Sequence, residues 1–198
     1  MTAIDRVVLV HRLREVVALA GFTRFEAAAP DVAGELEMGV RRAALARETS
    51  WLPAVENRGE GIFLLFNSET VESWIQRGDV QDRGTKLAAG FECWKTEHQG
   101  SRRQFPGIPY IMLHSFSHLL LTSVSLECGY PASSIRERIY ALGGLGYGIL
   151  LYTGSSDAEG TLGGLIQVGR QIHEHVKAAL DLGGLCSNDP VCAQHEPQ

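Results

Sequence analysis

Residues 108–126 form the longest apolar stretch of the chain, and they limit what it can fold into more than any other feature. Two histidines, five serine or threonine hydroxyls and a proline interrupt the stretch. It therefore falls short of the roughly 18 uncharged apolar residues of a membrane span. Pro109 sits where a helix tolerates it, in the first turn. The pattern predicts a helix over residues 110–127. A helix that is apolar nearly all round has to be covered on most sides, so it belongs at the centre of a layered fold.

The other elements can be arranged around that helix. Val7, Val10, Leu13, Val17 and Ala20 make a stripe at helical spacing, which predicts an opening helix over residues 7–20 closed by Gly21. Residues 27–52 read as irregular, with a strand near 38–40. The apolar run 61–66, bounded by glycine and Asn67, is a buried strand, and Ser68 opens a helix. A further helix is expected over residues 86–98 and a loop over 99–103. Residues 134–142 alternate as a strand with Arg136 and Arg138 outward, and 147–153 are a second buried strand. A glycine-rich turn, 154–164, leads into a helix to about residue 182. These elements predict an α/β, mixed α+β fold, in which a small mixed sheet packs against the long central helix and further helices.

Composition excludes some functions. Of the 198 residues, 44% are hydrophobic and 21% charged, enough for an ordinary core. A net charge of −5 argues against a basic, nucleic-acid-binding surface over the whole molecule. The compact basic candidates for phosphate contact are the doublets Arg41-Arg42 and Arg102-Arg103, a pattern that is more often simply solvated surface. The first residues lack the layout of a signal peptide, and four cysteines, two of them isolated, do not make a disulfide framework. The cytoplasm is the expected compartment.

Two groupings offer metal ligands. Cys186 and Cys192 are separated by five residues in a turn-rich segment, a spacing that suits two thiolates on one zinc, with His195 as a possible third donor. Two ordinary loop cysteines would look the same. His114 and His118, four apart on the central helix, put both imidazoles on one face. A metalloprotease helix carries a glutamate directly after the first histidine, and here Ser115 stands there. The apolar neighbours Leu113, Leu119, Leu120 and Leu121 favour two hydrogen-bonded structural histidines on the inner side of the helix.

Elsewhere the sequence lacks catalytic signatures. The turn before the last helix has no phosphate-loop lysine, and Asp157 and Glu159 would repel phosphate. Glycines 160, 163 and 164 fit close helix–sheet packing better. Gly144-x-Gly146-x-Gly148 precedes a strand instead of following one, so it is not a dinucleotide fingerprint. No nucleophile elbow surrounds any serine. The chain is therefore expected not to be an enzyme. The alternatives are a metal-dependent hydrolase using His114, His118 and Asp157, and a purely structural scaffold.

Several segments taken in order carry a resemblance. They are residues 113–120 (Leu-His-Ser-Phe-Ser-His-Leu-Leu), 134–140, 148–153, the run Asp157-x-Glu159-Gly160-Thr161-Leu162-Gly163-Gly164-Leu165, and Leu185-Cys186 through Asp189-Pro190-Val191-Cys192. This order resembles the MrfA zinc-binding (MZB) domain family, and within it the DrmB-like subunits of DISARM anti-phage systems. It covers residues 105–195, and the opening Val10–Val16 and Gly21-Phe22-Thr23 also fit. The resemblance implies a C-terminal zinc-binding loop in which a cysteine quartet holds the metal, with Cys186 and Cys192 as its first pair. The second pair is expected downstream, so the chain reads as a C-terminal part cut short. It also implies an accessory role beside a helicase subunit, with DNA met only inside the complex and no membrane. The expected division is residues 1–104, a helix-rich part, and residues 105–198, the MZB-like domain.

Overall fold

The computed structural model describes residues 3–23, 43, 50–98, 103–128, 134–155 and 163–184. Strands β1 (Ile4–Ala18) and β2 (Ala54–Phe66) come first, followed by helices α1 (Ser68–Ile75) and α2 (Gly78–Glu97). Helix α3 (Ile108–Cys128) leads to the hairpin of β3 (Ile135–Leu142) and β4 (Gly146–Ser155), and α4 (Gly164–Arg170) and α5 (Ile172–Gly183) follow. The fold is mixed α+β, as expected. Its four-stranded sheet, ordered β1-β2-β4-β3, is antiparallel throughout instead of mixed. Because β2 pairs with β4, strands from both halves of the chain share one sheet.

Strand alternation sets the two faces of this sheet. Ile62, Leu64 and Phe66 of β2, Tyr147, Ile149 and Leu151 of β4, and Ile135 and Ile139 of β3 are buried. These side chains join Leu113, Leu120 and Val124 of α3, Leu165 and Val168 of α4, and Val176 and Ala179 of α5 in a single core. Each fully buried leucine or isoleucine in it contributes about 1.5–3 kcal/mol. On the other face the Phe63 and Tyr140 rings meet edge to face at 5.7 Å.

The predicted opening helix is a strand, and the reason is local. Two irregularities in the pairing of β1, between Ile4 and Arg6 and between Val10 and Leu13, each insert one residue that its partner lacks. The half-buried positions of β1 are Ile4, Val7, Leu9, Val10, Leu13 and Glu15, and the steps of three from 4 to 7 and from 10 to 13, one across each irregularity, imitate a helical stripe. The valines at 7, 8, 10, 16 and 17 suit the pleated sheet, and twelve register pairs to β2 outweigh the weak helical pattern.

The long apolar helix is α3, with 21 residues. The polar helix expected at residues 86–98 begins earlier, at Gly78, where Val80 and Gly84 are its buried residues. The single last helix is two, parted at Gln171. Gly163 takes a φ of 134°, open to glycine, and no neighbour would meet a Cβ there. Close helix–sheet packing occurs at Gly169, where a Cβ would lie 2.4 Å from Leu9 Cδ2 and 3.1 Å from Ile62 Cγ1. Most of residues 27–52, the loop residues 99–102, and Gly160 lie outside the described residues.

Candidate metal centre

Helix α3 and strand β3 meet along the edge of the sheet. On α3, Leu113, Ser117, Leu120 and Val124 form the buried line that faces the core. The neighbouring line carries Tyr110, His114 and His118, one turn apart. On β3, Arg136 and Arg138 are exposed, as expected, so alternation sends Glu137 inward between the buried Ile135 and Ile139. A carboxylate set between two buried isoleucines needs polar partners.

It finds three. Glu137 Oε1 lies 3.0 Å from His114 Nε2 and 3.3 Å from His118 Nε2. The two Nε2 atoms are 3.1 Å apart, with the rings edge to face. The Ser117 hydroxyl, fully buried, reaches Glu137 Oε2 and also the His114 carbonyl at 2.7 Å. Tyr110 stacks on the His114 ring at 5.7 Å and 15°. His114, His118 and Glu137 are a group that can hold a metal ion, their donor atoms all within 4.8 Å of one another.

The structure corrects the expectation that both histidines are turned inward and buried. Their side chains are 43% and 61% exposed, because β3 is the edge strand and the flank of α3 above it meets solvent. Among the α3 side chains from 108 to 125, Ser115 and His118 are the exposed ones. Among the described residues, the buried, hydrogen-bonded histidine is His175 on α5, 3% exposed, with Nδ1 at 3.1 Å from Ser123 Oγ. Its place on the line Ile172, His175, Val176, Ala179 was visible in the residue spacing.

Glu137 was missed, although its signal was present. If the arginines on either side point outward, the residue between them points in. The other residues predicted for function lie mostly elsewhere. Cys186, Cys192, His195, Asp157, Arg41, Arg42 and Arg102 are outside the described residues. Arg103 is exposed ahead of α3. Among the described residues no helix is long and apolar enough to cross a membrane.

No family model matches the chain. It is similar to the DISARM protein DrmB of Bacillus paralicheniformis, with 40% identity over 196 residues. That alignment takes in 98% of this chain and 34% of the relative, so the chain spans about a third of that protein's length. The likeness to DrmB inferred from the order of motifs is thus borne out along nearly the whole chain.

Proposed function

We propose that this chain is part of a DrmB-like accessory subunit of a bacterial anti-phage defence system, non-catalytic by itself and acting beside a helicase. The observation that carries this reading is the 40% identity over 98% of the chain to a DISARM protein. In this reading DNA is met only within the assembled complex, since a chain of net charge −5 has little general attraction for phosphate. A zinc ion is held by Cys186 and Cys192 together with further ligands downstream, in the manner of the MZB family. The deciding experiment is phage plating on a host carrying the defence system, with residues 105–195 deleted from this subunit. Plaque numbers should rise to those of a host without the system, and unchanged protection would refute the role. Metal analysis of the full-length subunit should also show about one zinc fewer when Cys186 and Cys192 become serine.

A second reading, the metal-dependent hydrolase built on His114, His118 and Asp157, has one observation in its favour. The two imidazoles converge on a common point beside a carboxylate, that of Glu137. Turnover of an ester or phosphodiester on adding a divalent metal is expected under this reading alone.

A further inference from the structure

We propose that His114, His118 and Glu137 form a binding site for one divalent first-row transition ion, separate from the cysteine pair. Its protein ligands are the two Nε2 atoms and Glu137 Oε1, and its remaining coordination is open to water.

The donor set selects the kind of ion. Two imidazoles with one carboxylate suit zinc, iron(II), cobalt or nickel, whereas calcium and magnesium prefer oxygen donors alone. The spacing of the donors agrees. Ligands held about 2.0–2.1 Å from a tetrahedral zinc lie about 3.3 Å from one another. The three separations here are 3.0, 3.3 and 3.1 Å, so an ion between these atoms requires only a slight spreading of the side chains.

The site is also preorganised. Its ligands stand on a helix and a strand that share the core, not on loops. Buried Ser117 engages Glu137 Oε2 and leaves Oε1 toward the histidines, and the Tyr110 ring lies flat against His114. Such outer partners fix ligand orientation and raise affinity.

All three ligands approach from the protein side, and His118 is 61% exposed. Three protein ligands and an accessible face are the arrangement in which zinc keeps an exchangeable fourth position, unlike the closed four-cysteine type.

The test uses the chain with Cys186→Ser and Cys192→Ser, stripped with a chelator and titrated with Co(II). About one equivalent should bind, with visible ligand-field absorption and no thiolate charge-transfer band. Azide should then shift that absorption by taking the open position. His118→Ala, at an exposed position that leaves the core intact, should weaken cobalt binding by at least about 100-fold, and Ser117→Ala by about 10–100-fold. No cobalt uptake, or equal affinity in the His118→Ala chain, would overturn the site; an azide-insensitive spectrum would overturn its open position. Should the serine substitutions prevent folding, zinc content of the chain with cysteines intact gives the same answer. It should fall by about one equivalent in His118→Ala, and an unchanged content refutes the proposal.

Discussion

Glu60 Oε1 accepts the backbone N–H of Leu165 at 2.8 Å, tying the middle of β2 to the first turn of α4 across 105 residues. Glu60 is 1% exposed, and Gly163 at the start of α4 offers no side-chain cap. A strand carboxyl oxygen thus does what an N-cap side chain does elsewhere, accepting an N–H of the helix's first turn. Glu60→Ala would leave the buried Leu165 N–H without this acceptor, at a cost of about 2–3 kcal/mol. Glu60→Gln keeps an acceptor oxygen and should cost about 1 kcal/mol. Urea unfolding midpoints decide the matter, and two variants as stable as the parent would show that the bond contributes nothing.

Gly169 lets α4 lie against the sheet. A methyl group there would collide with Leu9 and fully buried Ile62. Gly169→Ala is expected to destabilise the fold by about 1–3 kcal/mol through overpacking, although alanine is the better helix former. Thermal unfolding measures it, and a raised midpoint would mean that the sheet yields easily at this point.

Tyr147 supplies a pH signature. Its hydroxyl donates to the Glu72 carboxylate, and this bond, then burial, then the nearby negative charge push the phenol from 10 up to about 12. The folded protein therefore holds that proton more tightly than the unfolded chain does. The associated stability is fully present below pH 10 and is lost as pH rises toward 12. Tyr147→Phe should cost about 1 kcal/mol at neutral pH and should lose stability less steeply in the alkaline range. Denaturation curves at neutral pH and above pH 10 test this, and parallel curves for the two proteins would refute it.

The arginine doublets bear on the proposed DNA interaction. Changing Arg41, Arg42, Arg102 and Arg103 to alanine should weaken DNA binding by the assembled complex. It should also flatten the salt dependence, by about one unit of slope for each phosphate that is no longer neutralised. An unchanged slope would place the DNA-binding surface in the helicase or in another part of the subunit.

Elements whose burial is uniform were legible in the residues. Helix α3 and the apolar halves of β2 and β4 are continuous apolar runs, and such runs identify themselves without knowledge of their neighbours. The outward arginines of β3 followed from simple alternation. The likeness to DrmB was carried by ordered motifs along the chain, which require no tertiary information. Strand β1 was illegible because two bulges replaced the two-residue period with spacings of three. The extended start of α2 was hidden because only Val80 and Gly84 are buried along it, which is too little to set a period.

The sequence by itself therefore determined the apolar centre, the mixed α+β class, and the pairing of two histidines on one helix face. Spacing along α3 alone settles that His114 and His118 are neighbours. Only the tertiary structure decided that the face carrying them lies above an edge strand, half open to solvent, and that Glu137 stands opposite. A residue's position on its own helix or strand is set by local periodicity. Which strand a helix lies upon, and which ligands meet across the gap, depends on packing between segments 20 residues apart, to which no local period gives access.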